Sequence, residues 1–221
     1  MKDLFRDRTE AGELLAEKLA AYANQPDVIV LALPRGGVPV GAEVARKLQV
    51  PFDVFVVRKL GLPGHPELAM GAIASGGVRV LNGDVINGLR IPDEVIKAVT
   101  AEEFQELKRR EQSYRDDLPL PEVEGKTVII VDDGIATGAT MAAAISALRQ
   151  LNVGRVVVAT PTVARSTYGY LQQTADEVIA VIVPAEFHGV GQWYEDFTQT
   201  TDEEVHQLLA EMNHRDNPAV A

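Results

Sequence analysis

The residues of this chain best arranged for chemistry lie between Val128 and Thr140, in the run Val-Ile-Ile-Val-Asp-Asp-Gly-Ile-Ala-Thr-Gly-Ala-Thr. Two adjacent carboxylates, Asp132 and Asp133, follow four apolar residues. Carboxylates only accept hydrogen bonds, so the pair suits neighbouring sugar hydroxyls, and it favours Mg2+ where that ion accompanies a phosphorylated ligand. Behind the acids stand Gly134, Ile135, Ala136, Thr137, Gly138, Ala139 and Thr140, mostly small residues with two hydroxyls. A turn of this composition that opens a helix presents backbone N–H groups and the positive end of the helix dipole. Such a turn holds a phosphate, with Thr137 and Thr140 adding side-chain bonds.

A second loop of the same kind stands earlier, Leu33-Pro34-Arg35-Gly36-Gly37-Val38-Pro39. Gly36 and Gly37 let backbone N–H groups come close to an anion, and Arg35 offers a planar, two-pronged phosphate donor. Arg58 and Lys59 add two cations after the next β-rich run. Alone, these are an ordinary β-α turn and solvated strand-end charges; upstream of the acid pair they read as phosphate ligands. His65 and Glu67 are the titratable side chains of the glycine-rich stretch Gly61 to Gly77, either proton relays or solvated loop residues.

These residues need a scaffold, and the periodicity supplies one. Asp7 to Ala23 has helical spacing, with Asp7 and Glu10 placed as a capping box. Val28 to Leu33 is a continuous apolar run, as expected of a strand covered on both faces. Val40 to Leu48 returns to helical spacing and Phe52 to Val57 reads as a second strand. Gly61 to Gly77 predicts a mobile loop leading into a short hairpin at Ala69 to Ala74. A charged helix is predicted from Pro92 to about Tyr114, and Pro119 to Gly125 is a linker. Thr127 to Val131, Val156 to Ala159 and Val178 to Val183 are further apolar runs separated by helix-compatible stretches. The alternation predicts an α/β fold with a parallel sheet and crossover helices. His206 and His214 fall on a terminal helix as surface residues.

At 221 residues, 46% hydrophobic and 24% charged, the chain has the composition of a soluble globular domain. A formal net charge of -11 argues against a nucleic-acid surface, so an anionic ligand must meet local positive charge. Zero cysteines exclude disulfides and thiolate chemistry. No apolar stretch is long enough for a membrane span and no signal peptide is visible, so a cytoplasmic location is expected.

Val128 to Thr140 resembles the phosphoribosyl-diphosphate signature of the type I phosphoribosyltransferases: four apolar residues, two acids, two variable positions, a small residue and Thr-Gly-X-Thr, without a gap. The resemblance covers most of Asp27 to Val183. It implies the type I phosphoribosyltransferase fold, a central parallel sheet flanked by helices, with a flexible loop and a C-terminal hood. A single domain 1–221 is expected, with a core at about 27–183, a helical insert at about 83–118 and the hood at 184–221. By resemblance, Asp132 and Asp133 hold the ribose hydroxyls and meet Mg2+ directly or through the phosphoribosyl diphosphate, and the backbone from Ile135 to Thr140 holds the 5-phosphate. Arg35, Gly36, Gly37, Arg58 and Lys59 serve the diphosphate, and Gly61 to Gly77 closes over the centre with Glu67 as a catalytic side chain.

The implied reaction transfers the 5-phosphoribosyl group from phosphoribosyl diphosphate to a nitrogen acceptor such as a nucleobase, releasing diphosphate. Positive charge builds on the sugar and negative charge on the leaving group, so positioning and neutralisation supply the catalysis. Members acting on 6-oxopurines carry an acid where this chain has Ala136, which turns the expectation away from those bases. Phe187 to Phe197 is the candidate hood, with Trp193 to stack on the acceptor and Gln192 or Asp196 to read its edge, unless its aromatics are core. A homodimer is common in the family. The alternative from another class is a regulatory protein that binds phosphoribosyl diphosphate or a nucleotide without turnover; a hydrolase built on the two acids would need metal ligands the sequence does not offer.

Overall fold

The computed structural model describes residues 4–116 and 118–216, with the side chains of residues 66, 67 and 213–216, including His214, outside the description. The expected capping at Asp7 is present: its carboxylate accepts from the Glu10 N–H at 2.8 Å and starts helix α1, Arg8–Lys18. The helix is shorter than its apolar spacing predicted, because the chain tightens into a 3-10 turn at Ala20–Tyr22.

The core is a five-stranded parallel sheet. Strand β1 (Val28–Ala32) leads through helix α2 (Gly37–Leu48) to its neighbour β2 (Phe52–Val54). On its other side β1 pairs with the strand Thr127–Val131, which pairs with Arg155–Thr162, which pairs with Glu177–Ile182. All five are parallel, so both faces must be covered. In β1, Val28, Val30 and Ala32 pack with Leu15 of α1, Val44 of α2 and Leu209, whereas Ile29 and Leu31 pack with Met141, Ile145 and Leu148. The period of two thus divides one apolar run between two cores.

Gly61 to Gly77, expected as a mobile loop running into a short hairpin at Ala69 to Ala74, is mostly strand, within a longer stretch from Val57 to Leu81. That stretch forms β3 (Val57–Leu62), β4 (His65–Ala74) and β5 (Val78–Leu81), a separate antiparallel sheet. The run Phe52 to Val57 is accordingly not one strand: the chain leaves the parallel sheet after Val54 and enters the second sheet at Val57. Two of the glycines that read as flexibility have a fixed task. Gly64, at φ 82°, makes the turn after Pro63 that a side chain would resist, and a Cβ on Gly71 would strike the Val80 carbonyl. The register shifts on either side of Gly61 mark a bulge that local alternation does not reveal.

Two helices follow, α3 (Gly83–Gly88) and α4 (Asp93–Arg115), with Pro92 at the N-cap of α4. Strand β6 is Thr127–Val131, α5 is Ala139–Gln150, β7 is Arg155–Thr162, α6 is Arg165–Leu171, β8 is Glu177–Ile182 and α7 is Asp202–Asp216. Strand β7 runs three residues beyond the apolar segment Val156 to Ala159, since Thr160 and Thr162 are fully buried despite their hydroxyls.

Where β2 passes into β3, a buried arginine holds three segments together. Arg115, at the end of α4, donates Nε to Asp53 Oδ1 at 2.8 Å and a terminal nitrogen to the Val54 carbonyl at 2.7 Å. The Val56 N–H donates to Ser75 Oγ at 3.0 Å, and Ser75 N–H returns to the Val56 carbonyl at 2.9 Å. Burial pushes the Asp53 carboxyl above the usual carboxylate range, and the Arg115 charge opposes that shift. Removing one partner of a buried pair leaves the other unpaired, so Arg115→Ala is expected to cost about 3–5 kcal/mol. At about 2–4 °C per kcal/mol for a chain of this size, thermal unfolding should drop by about 6–20 °C. An unchanged midpoint would show that the pair holds nothing.

Candidate active site

Strand order places the site before any side chain is considered. From β1 the chain winds outward to β2, whereas β6, β7 and β8 continue on the other flank, so the winding reverses between β1 and β6. Ligands of open α/β sheets lie beyond the carboxyl ends of strands at such a reversal. The two loops there are 33–37 and 132–138. The Leu33 N–H donates to the Val131 carbonyl at 2.8 Å, which carries the β1–β6 ladder up to the loops.

The loops touch. A Cβ added to Gly36 would run into the Asp133 carboxylate, and one on Gly37 would stand 2.7 Å from the Val131 carbonyl oxygen. Glycine is needed at both positions for close approach of one backbone to another. The Pro34–Arg35 peptide is cis. Among the described residues, the N–H groups of Arg35 and Gly36 have no backbone acceptor.

Beyond the acids, the Ile135 N–H donates to the Thr162 carbonyl at 2.9 Å, the Ala164 N–H donates to the Ile135 carbonyl at 3.0 Å, and Thr167 Oγ1 donates to the Ala136 carbonyl at 2.5 Å. These bonds fix the turn against the end of β7 and the start of α6. Gly138, at φ 76°, is the N-cap of α5. Ala136, Thr137, Ala139 and Thr140 are exposed. Among the described residues, the N–H groups from 136 to 141 meet no backbone acceptor, the first helical carbonyl–amide bond being Ala142 to Gly138 at 2.8 Å. A helix start with unsatisfied, exposed donors is an anion cradle.

The acid pair sits in poor solvent. Asp132 Oδ1 accepts from the Asp133 N–H at 2.9 Å. Burial raises the Asp132 carboxyl well above its ordinary range, and the neighbouring Asp133 charge adds to it. Burial raises Asp133 as well, with Arg8 pulling the other way. Arg8 is a site residue that sequence reasoning missed: its Nε donates to Asp133 Oδ2 at 2.8 Å across 125 positions of chain. Tyr194, expected in the hood, donates its hydroxyl to the Asp133 carbonyl at 2.5 Å, and burial raises its pKa far above 10.

The remaining candidates separate. Lys59, on β3, lines a cavity of about 510 Å³ together with Ala139 and Thr140 of the cradle and with Gly71, Asn82 and Asp84. Arg58 points the other way and forms an ion pair with Glu103 of α4, at 2.6 to 2.7 Å. The two cations therefore do not share the end of one strand, since adjacent residues on β3 face opposite sides. Arg35 extends toward Asp202 of α7 at 3.5 Å, the same oxygen that accepts from Tyr114 at 2.8 Å. His65 lines a different cavity, with Leu62, Leu89, Ile91 and Val95. The Glu67 side chain lies outside the described residues.

In the hood, Trp193 stacks on Phe187, centroids 6.3 Å apart, and packs against the cluster of Phe5, Ala11 and Tyr194. Its indole Nε1 is buried and unpaired among the described residues. Asp196 Oδ1 accepts from both the N–H and the hydroxyl of Thr198, at 2.9 and 2.7 Å, and Gln192 is exposed. No helix is long and apolar enough to cross a membrane among the described residues.

Residues 7–195 match the model of the phosphoribosyl transferase domain family. The chain is 48% identical over 216 residues to "Putative phosphoribosyl transferase Rv0571c" of Mycobacterium tuberculosis (strain ATCC 25618 / H37Rv), an alignment covering 96% of this chain and 48% of that protein. It thus spans about half the length of the curated relatives it matches. The crystal structure of TT1426 from Thermus thermophilus superposes with a TM-score of 0.84 at 43% identity, covering 95% of this chain and 99% of that one. A hypothetical protein from Neisseria gonorrhoeae, solved with bound ppGpp, shares the fold at a TM-score of 0.50 and 14% identity, covering 96% and 98% of the two chains. The sheet order, the two touching loops and these matches together place the chain in the phosphoribosyl transferase domain family.

Proposed function

We propose that the chain transfers the 5-phosphoribosyl group of phosphoribosyl diphosphate to a nitrogen acceptor, nucleobase-like in chemistry, and releases diphosphate. The observation that carries the reading is the contact of the 33–37 loop with the acid pair, beside a helix start whose donors are unsatisfied. It brings the N–H groups of one loop against the carboxylates of the other, the donor and acceptor types that a sugar with phosphate at one end and diphosphate at the other calls for.

The cradle from Ala136 to Thr140 holds the 5-phosphate and Asp132 meets the ribose hydroxyls. Arg35 and the N–H groups beside it hold the diphosphate, with Lys59 reaching from β3. Charge developing on the leaving group is thereby neutralised without a protein nucleophile. Among the described residues no group of three or more His, Cys, Asp or Glu is gathered to hold a metal ion. Asp132 and Asp133 at the end of β6 offer one or two carboxylates, and Mg2+ commonly takes that few from a protein when substrate phosphates accompany it. When bound there, the ion would supply further neutralisation of the diphosphate. We place the acceptor under the hood, with Trp193 to stack on it and Glu67 as the proposed proton carrier. A homodimer is the proposed assembly.

One observation favours a second reading, binding without turnover: Glu103 already neutralises Arg58 and withdraws that cation from a leaving group. A thermal-shift titration separates the cases. Phosphoribosyl diphosphate with Mg2+ at 100 times its Kd should stabilise the chain by about 2.7 kcal/mol, a rise of roughly 5–10 °C. No rise removes the proposed function. A rise with no diphosphate released from any nucleobase or amine selects the binding protein.

The buried acids also set a pH signature. With its folded pKa above its unfolded one, Asp132 carries no penalty at low pH, where it is protonated in both states. The penalty grows as pH rises through that interval and is complete above the folded value. Asp132→Asn is therefore expected to melt higher than the unmodified chain at neutral pH, to lose that advantage on acidification, and to lose phosphoribosyl diphosphate binding. A variant that melts lower at pH 7 than at pH 4, relative to the unmodified chain, contradicts this assignment.

A further inference from the structure

Asp133 is enclosed by three segments that the sequence keeps far apart. Arg8 and Asp133 are 11% and 12% exposed at their side chains, and the pair is 2.8 Å long. The second arm of the guanidinium donates to the Thr198 carbonyl at 2.7 Å, and its carbon stands 4.1 Å from the centre of the Phe197 ring. The main chain beside Arg8 is tied to the hood too. The Phe5 N–H donates to the Trp193 carbonyl at 2.8 Å, and the Glu195 and Asp196 N–H groups donate to Phe5 and Arg6 at 2.8 and 2.9 Å. Gly36 closes the other side, since even a methyl group there would collide with the carboxylate. Among the described residues no cation pairs with Asp132: its Oδ1 accepts from the Asp133 N–H, and the residue keeps partial exposure.

We propose that the acid pair is divided, with Arg8 as a positioning residue that locks Asp133 as the anchor of the N-terminal segment and hood, and Asp132 left as the carboxylate that meets the ligand. The ligand side of this rests on the proposed function. The physical reason is charge. Two adjacent ionised carboxylates would repel an anionic sugar diphosphate, in a chain whose net charge is already -11. A guanidinium held by a carboxylate, a carbonyl and an aromatic face neutralises one of them at a fixed place. The aromatic hood therefore serves the acid pair through Arg8 and Tyr194, in addition to any acceptor.

Calorimetric titration of the full chain with phosphoribosyl diphosphate and Mg2+ tests the division. Asp132→Asn should weaken binding at least about 100-fold, and Asp133→Asn should cost at least about ten times less, because only the first strips a hydrogen-bonding charge from the ligand. Arg8→Met should weaken binding about tenfold or more by leaving a buried carboxylate unpaired, and adding Asp133→Asn to it should return most of that loss. Equal losses in the two Asn variants, or wild-type affinity in Arg8→Met, overturn the proposal. An unrescued double variant overturns it as well, since Arg8 would then act only as scaffold. Should Arg8→Met fail to fold, Arg8→Lys, which keeps the charge without the two-pronged geometry, takes its place, and the Asn comparison still decides. If the unmodified chain does not bind phosphoribosyl diphosphate, the proposed function is lost. The lock is then decided by ligand-free melting: non-additive losses for Arg8 and Asp133 substitutions support it, and additive losses overturn it.

Discussion

Two backbone turns, one after β1 and one after β6, approach until nothing larger than a glycine hydrogen fits between them, and the site exists because of that approach. Adjacent parallel strands lie only about 4.8 Å apart, so the loops leaving their carboxyl ends must either diverge or interlock. Here they interlock, Gly36 against Asp133 and Gly37 against the end of β6. The same closeness creates the tension of the site. It takes water from two neighbouring carboxylates and raises both pKa values, a local instability that a ligand-binding surface commonly carries and the rest of the fold offsets.

Elements outside the parallel sheet answer that tension. The N-terminal segment and hood supply Arg8 and Tyr194 to Asp133, and α4 and α7 supply Glu103, Asp202 and Tyr114 to the neighbourhood of Arg58 and Arg35. The charges at the two loops are thus set by helices and loops outside the parallel sheet. Arg115 gives α4 a firm seat for this task, because its bonds to Asp53 and Val54 fasten the helix where the chain changes sheets.

The antiparallel sheet changes how the middle of the chain works. A mobile loop would have brought Glu67 to the centre only on closing. Instead β3 is held by β4 along its length, and Lys59 already faces the cavity shared with Thr140. Arg58 shows the corollary: the strand's alternation that turns Lys59 inward sends its neighbour to Glu103.

What could be read without coordinates was contiguous. Val128 to Thr140 carries strand, acids and helix start in thirteen consecutive residues, and each is governed by local rules: apolar runs, carboxylate chemistry, small residues at a dipole end. The continuous apolar runs likewise revealed a parallel sheet covered on both faces, and Asp7 with Glu10 revealed a helix start. The Gly61 to Gly77 stretch was illegible because glycine serves turns, bulges and close contacts as well as flexible loops, and only the partner strand tells which. Arg8 was illegible for a deeper reason. Its partner lies 125 residues away and its ring partner in the hood further still. Which distant charge meets which depends on how helices and loops pack around the sheet, a matter of global closure and desolvation that no window of sequence contains. Those thirteen residues and the apolar runs carried the motif's chemistry and the α/β class within short windows; which cations stand beside the acids, and which are already paired, was settled only by packing, because charges that meet across the folded surface are distant along the chain.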